Sequence, residues 1–187
     1  MRTLSNIKSA FAALLLILAI TFATHVFGQT SMSILPVNIS AVNSQVLNAQ
    51  QWQNISVQLQ DHFILQLAGL GTISKLSREH ILLLLKEMTH PDPENLSADA
   101  YKIISKKENL HYLLKSSIES IQVIDRNVLA PLRVIIVDGN NGKVFWEKTV
   151  KINKTVSNPA LTEQLLLNEV FRPAVNDIAK EIKALKY

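Results

Sequence analysis

The feature that most constrains the fold is a short polar turn between two strongly β-forming runs. Residues 138–142 read Asp-Gly-Asn-Asn-Gly, and such Asn- and Gly-rich segments are typical of tight β-hairpin turns. Residues 131–138 before the turn are rich in β-branched side chains, and residues 143–152 after it alternate apolar and polar side chains. The sequence therefore predicts two long antiparallel strands joined by this turn.

Helices and further strands are predicted on both sides of this hairpin. Apolar residues that recur at helical spacing predict four helices, the second and third capped by Ser77 and Ser97: residues 49–70, 78–88, 98–107 and 162–185. Further apolar runs predict three more strands, of which the last is long: residues 33–39, 72–76 and 111–124. Pro36 is expected near the end of the first strand, and Pro173 is expected to kink or split the last helix. The order β-α-β-α-α-β-β-β-α predicts an α/β (α+β) fold, with a mixed sheet of about five strands and helices packed on it.

The first 28 residues have the three-part pattern of a secretory signal peptide. Arg2 and Lys8 precede the uncharged apolar run 10–24, and small residues follow before Gln29. A membrane-spanning helix needs about 20 apolar residues, and His25 interrupts the run before that length. The sequence predicts a signal peptide over residues 1–28 and one exported domain over 29–187. An uncleaved membrane anchor is the alternative.

Charge and cysteine content exclude several classes of function. Without Arg2 and Lys8, the chain has 17 basic and 15 acidic side chains and no dense basic run, which argues against a nucleic-acid partner. The chain has no cysteine, which excludes a cysteine nucleophile, a thiolate zinc site and a lipid-modified cysteine. Contact with a membrane would then require a partner or the uncleaved anchor.

The sequence contains no recognisable catalytic, cofactor-binding or metal-binding motif. It has no Gly-x-Ser-x-Gly nucleophile motif and no glycine-rich phosphate loop, and its histidines lack the spacing of metal ligands. His90, Asp92 and Glu94 form the one compact group of a histidine with carboxylates. The prolines within this segment favour a solvated turn; a hydrolase or small-ligand site built on the three residues is the alternative.

Three segments of the chain are similar to those of a known family. Residues 33–40, Ser-Ile-Leu-Pro-Val-Asn-Ile-Ser, form an apolar strand with Pro, Asn and Ser, and residues 73–82 form a short strand that runs into an Arg and a helix. Residues 98–104 and 110–118 pair a helix with a long strand, and residues 138–143 form an Asp…Gly-Lys turn. In these features the chain resembles the TolB amino-terminal-like and CsgG-like domains of bacterial envelope proteins.

The resemblance implies a binding function and no enzymatic activity. The lipidation cysteine of CsgG-like proteins and their inserted amphipathic hairpins are missing here, so the resemblance does not extend to a membrane channel. It implies an exported, periplasmic or secreted interaction module without a cofactor. Its partner would be an envelope protein in a secretion or envelope-spanning complex, and homo-oligomers are also compatible with it.

Alternation along the hairpin strands predicts which side chains face the core. Val134 and Ile136 are expected to face it together with Val144 and Trp146. Trp52 is expected to be buried as part of the first helix.

The opposite face of these strands carries three apolar residues among polar ones. Ile135, Val137 and Phe145 are expected there. The polar side chains predicted for the same face are Lys115, Ser117, Glu119, Arg133, Glu147, Thr149 and Lys151. One interpretation is that the first or the carboxy-terminal helix covers the three apolar residues. The other is that they form the apolar centre of a contact patch for a partner or a second copy.

Overall fold

The computed structural model describes residues 30–40, 46–89 and 91–185. The strands are β1 (Ser31–Ile34), β2 (Asn38–Ile39), β3 (Thr72–Lys75), β4 (Tyr112–Ile118), β5 (Gln122–Ile124), β6 (Asn127–Asp138) and β7 (Val144–Thr155). The helices are α1 (Ala49–Leu67), α2 (Arg78–Leu84), α3 (Ala98–Glu108) and a carboxy-terminal helix in three consecutive segments, α4 (Glu163–Leu165), a π-helical segment (Leu166–Phe171) and α5 (Arg172–Ala184). The signal-peptide prediction and His90 lie outside the described residues.

The seven strands form one mixed sheet, which confirms the predicted α+β fold. Strand β1 lies between β3 and β4 and is parallel to both. Strand β6 lies between β4 and β7 and is antiparallel to both. Strands β2 and β5 are short continuations of β1 and β4, since β2 also pairs with β4 and β5 also pairs with β6. The five predicted strands become seven because two of them are interrupted.

Both interruptions lie next to a proline. Strand β1 ends before Pro36, which has no N–H group to donate to a neighbouring strand. The predicted strand 111–124 is broken at residues 119–121. Pro131 of β6 lies in the corresponding gap, since β4 pairs with β6 from Leu132 onward and β5 pairs with it up to Leu129. The missing N–H group of Pro131 therefore falls where β6 has no neighbour on that side.

Helix α1 and the carboxy-terminal helix cover one face of the sheet and form the larger core. A capping box starts α1, with the Asn48 side chain accepting from the Gln51 N–H and the Gln51 side chain accepting from the Asn48 N–H. The apolar positions predicted from helical spacing are all buried: Trp52, Ile55, Leu59, Phe63 and Leu67. The prediction that Trp52 packs in the core is confirmed.

The carboxy-terminal helix passes Pro173 through a widened turn. Arg172 donates its N–H to the carbonyl of Leu167, five residues earlier, in the π-helical segment directly before the proline. Pro173 then lies in the first turn of α5 and has no N–H to donate to the carbonyls of the preceding segment. The helix is thus divided at the predicted place.

Helices α2 and α3 pack on the second face of the sheet, but only at one end of it. Ser77 and Ser97 cap them as predicted, accepting from the N–H groups of His80 and Ala100. A second, smaller core joins these helices to the sheet through Ile81, Leu85, Tyr101, Ile104, Leu113 and Val137. Helix α2 ends at Leu84, earlier than predicted.

The predicted phase of the hairpin holds on β6 and fails at the start of β7. Val134 and Ile136 are fully buried in the larger core, and Trp146 packs against it. The prediction for Val144 is wrong, because this side chain is 53% exposed. Ile136 pairs with Trp146 whereas Val137 pairs with Val144, so a bulge at Phe145 moves Val144 out of phase.

We expect Trp146→Ala to lower the free energy of unfolding by about 2 kcal/mol. Complete burial of a large aromatic side chain corresponds to roughly 3–5 kcal/mol, and Trp146 is only half-buried against the core. Denaturant unfolding of both proteins measures the difference. An unchanged midpoint would show that Trp146 contributes no packing energy.

Candidate functional site

The second face of the sheet is left open beyond the end covered by α2 and α3. We call this part the uncovered face; among the described residues, no helix packs over it. A concavity of about 150 Å³ lies in it, lined by Asn38, Ser40, Asn95, Lys115, Ser117, Glu119, Arg133 and Ile135. Some of the strand residues that alternation placed on one face do meet at this site: Lys115, Ser117, Glu119, Arg133 and Ile135.

Lys115 is the half-buried cation of this concavity. Its side chain forms no ion pair or hydrogen bond with any described residue, while Ser117 lies two positions further along the same strand and face. Burial lowers the pKa of Lys115, and the nearby charge of Arg133 lowers it further against the opposing effect of Asp92 and Glu94. The fold therefore holds an ammonium group where water alone does not fully solvate it.

Arg133 is the second cation, and its charge is already balanced. Its Nε lies 2.8 Å from Glu147 Oε1, and its Nη1 lies 3.9 Å from Glu119 Oε1. The hydrogen bond to Glu147 raises the pKa of Arg133. In the β6–β7 register, Glu147 pairs with Ile135, which lies two positions after Arg133 on the same strand face. The hairpin therefore fixes the ion pair between Arg133 and Glu147. Lys115 is left as the cation of the site that has no ion pair with a described residue.

The segment before α3 forms one wall of the concavity. Asp92 Oδ1 accepts from the N–H groups of Glu94 and Asn95, and its Oδ2 accepts from Asn95 Nδ2. The side-chain hydrogen bond from Asn95 holds the pKa of Asp92 below its usual range. Glu94 forms an ion pair with Arg78 at 3.2 Å. Both carboxylates are thus engaged in holding the turn, which places Asn95 at the concavity.

The three partner-contact candidates do not form one continuous patch. Val137 is 1% exposed and belongs to the second core. The covering helix is α3, together with the residues around α2, and not the first or the carboxy-terminal helix. Ile135 packs at the margin of that core and also lines the concavity. Phe145 is 45% exposed, and its ring centroid lies 5.2 Å from that of Tyr112, which packs against the larger core.

An apolar groove continues the uncovered face beyond Arg133. It has a volume of about 410 Å³. Its walls come from β6, β7 and the start of β5: Ser120, Gln122, Leu129, Ala130, Pro131, Lys151, Ile152 and Asn153. Polar and apolar surface therefore lie side by side on the same face.

The described residues give no sign of a metal site or a membrane span. No group of three or more potential metal-ligating side chains occurs within residues 30–40, 46–89 and 91–185. In the same ranges, none of the helices has the length and apolar character needed to cross a bilayer.

Sequence reasoning missed the residues that reach the concavity from outside the hairpin. Asn38 and Ser40 arrive through β2, where Asn38 pairs with Ser117. Asn95 arrives through the turn before α3. The one signal for Asn38 was the break at Pro36, because the strand resumes after it beside β4.

Several solved structures resemble this chain at low sequence identity. Lipoprotein GNA1162 from Neisseria meningitidis has a TM-score of 0.48 and 14% identity, over 82% of this chain and 96% of that one. The PelC dodecamer from Paraburkholderia phytofirmans has a TM-score of 0.44 and 10% identity, over 75% and 85%. The LpoB C-terminal domain from Salmonella enterica has a TM-score of 0.43 and 14% identity, over 66% and 82%. At TM-scores and identities this low, no property of these proteins is carried over to this chain.

No family model matches the chain, and no curated protein matches it. The resemblance to the TolB amino-terminal-like and CsgG-like domains therefore stays a prediction. The chain has an α+β fold, and the described helices cover the second face of its sheet only in part.

Proposed function

We propose that this protein is an exported, non-enzymatic interaction module of the bacterial cell envelope. It binds a protein partner, in a secretion or envelope-spanning complex, through the uncovered face. The leader-like residues 1–28 and the resemblance to envelope domains support the location. The partial cover of the second sheet face supports the mode of action, because helices shield one end of that face and leave the other open.

The composition of the uncovered face fits a protein interface. Transient interfaces combine apolar contact area with a polar rim. Here the apolar groove lies next to the polar concavity, with the exposed side chains of Glu147, Thr149 and Lys151 beside them. By contrast, a catalytic centre needs convergent side chains that are free to contact a substrate. The Asp92 carboxylate is already hydrogen-bonded within the turn, and the Glu94 carboxylate already pairs with Arg78.

A photo-cross-linking amino acid at Thr149 tests the proposal in cells. Thr149 is exposed on the uncovered face. A matched site is Leu65 of α1, which is 68% exposed on the other side of the sheet. We expect one discrete cross-linked protein from position 149 and none from position 65. Cross-links from position 65 alone, or from neither position, would contradict the proposed surface.

The rival function is a hydrolase or small-ligand binder that uses the His90-Asp92-Glu94 segment. One observation favours it: Asn95, held by Asp92, lines the concavity. The concavity of about 150 Å³ is smaller than ordinary ligand pockets, which have roughly 300–1,000 Å³. It can hold a functional group of a larger molecule but not a substrate of drug size.

A further inference from the structure

We propose that the concavity on the uncovered face binds a carboxylate group, supplied by an aspartate or glutamate side chain of the protein partner. Lys115 provides the opposite charge, and Asn38, Asn95 and Ser117 provide neutral polar contacts. The inference rests on the proposed function and names the chemistry by which the partner is recognised.

The Lys115 ammonium group has no ion-pair partner among the described residues. A half-buried ammonium group loses hydration, and an ion pair ordinarily compensates for that loss. Lys115 has no such pair among the described residues, although Arg133 beside it has two. Lys115 is thus the cation in the concavity that has no direct ion-pair partner among the described residues, with Asp92 and Glu94 acting on it only at longer range.

Neutral polar side chains surround Lys115 in the concavity. The Asn38 amide and the Ser117 hydroxyl both line the concavity. They lie on paired strands, since Asn38 is the register partner of Ser117. Neither side chain forms a hydrogen bond with another described residue. Amide N–H and hydroxyl groups can donate to a carboxylate oxygen, and hydrogen bonds to a charged acceptor are the stronger kind.

The size of the concavity and the charges around it favour a carboxylate over a phosphate. A cavity of roughly 150 Å³ holds a molecule the size of benzene, which suits a carboxylate on one or two methylene groups. Glu119 lines the same concavity, and Asp92 and Glu94 lie close enough to act on Lys115. A doubly charged phosphate would face these three carboxylates with one free cation. A single negative charge matches Lys115.

The concavity lies beside the apolar groove on the uncovered face. The apolar groove adjoins the concavity across Arg133 and Pro131. An acidic side chain flanked by apolar residues would therefore place its carboxylate at Lys115 and its neighbours in the groove. This is the arrangement of a desolvated polar anchor beside apolar contact area.

Titration of the full chain with the N-methylamide of N-acetylglutamate, followed by backbone amide NMR shifts, tests the site directly, because the side-chain carboxylate is the one charge of this probe. The N-methylamide of N-acetylglutamine is the neutral control of nearly the same shape. We expect saturable shifts at Asn38, Ser117 and Ile135 with the carboxylate at millimolar concentration, and none with the amide. Equal shifts with both probes, or none with either, would overturn the proposal.

Two lysine variants separate the site from general charge effects. Lys115→Met removes the ammonium group and keeps the apolar stem, whereas Lys183→Met removes an exposed charge from α5, on the other side of the sheet. We expect loss of the shifts in the first variant and retention in the second. We also expect the melting temperature of Lys115→Met to rise, because the burial that lowers the Lys115 pKa also makes its charge unfavourable in the folded state. Shifts that persist in folded Lys115→Met would overturn the assignment.

Cross-linking from position 149 distinguishes this inference from the proposed function. We expect the Lys115→Met substitution to reduce the cross-linked product by at least tenfold, and Lys183→Met to leave it unchanged. Full cross-linking in Lys115→Met would overturn the carboxylate anchor and leave the interaction surface standing. Absent cross-linking in the parent protein would contradict the proposed function, and saturable shifts with the N-methylamide of N-acetylglutamate would then assign the site to a free small acid.

Discussion

Gln60→Leu is expected to lower the free energy of unfolding by about 2–4 kcal/mol, because it removes two hydrogen bonds in the core. Gln60 is 2% exposed, and its Nε2 donates to the carbonyls of Ile34 at 2.7 Å and Leu76 at 2.9 Å. Ile34 is the last residue of β1, and Leu76 directly follows β3. One amide group thus ties α1 to two parallel strands, and leucine leaves buried carbonyl oxygens without this donor.

Gln53→Leu is the matched control for this substitution. Gln53 lies on the same helix with its side chain exposed, so the same chemical change there removes no buried hydrogen bond. Denaturant unfolding of both variants at equal m-values gives the two free energies. Equal losses would show that the Gln60 amide contributes nothing beyond its helix position.

Gly142→Ala is expected to cost about 2–4 kcal/mol, from backbone strain and steric conflict together. Gly142 ends the hairpin turn with φ at +69°, a conformation that L residues rarely adopt. A Cβ at this position would also collide with the carbonyl of Ala98, in the first turn of α3. The turn therefore presses against the helix that covers the second face.

Gly69→Ala separates the two causes. Gly69 has φ at +95°, and a Cβ there would meet no atom within 4 Å, so only the strain of about 1–2 kcal/mol is expected. Thermal unfolding of both variants checks the difference. If Gly69→Ala were as damaging as Gly142→Ala, contact between the turn and α3 would contribute nothing.

Periodic patterns in the sequence predicted the elements that one segment determines by itself. The helical spacing from Trp52 to Leu67 and the Asp138–Gly142 turn both predicted what the structure shows, since local geometry fixes helices and hairpins. Register details needed information from neighbouring strands. The break at residues 119–121 and the bulge that exposes Val144 depend on how β6 pairs on each of its two sides, which alternation within one strand does not encode.

The candidate site shows the same division. Alternation predicted that Lys115, Ser117 and Arg133 share a face, because a period of two holds along any regular strand. It did not predict Asn38 or Asn95, which reach the concavity from segments far away in the chain. The cover over Val137 was also assigned to other helices, because the sequence does not say on which side of the sheet α3 packs.

The central position of β1 has a consequence for the order of folding. Strands β4 to β7 are neighbours in sequence, so they can associate through short loops, whereas β1 must find β3 and β4 across long stretches of chain. Closing long loops is entropically costly and slows folding. Among the described strands, β3 is joined to the sheet through β1 alone. The antiparallel half is therefore expected to form first, with the edge of β4 unpaired and open to wrong pairing until β1 is inserted.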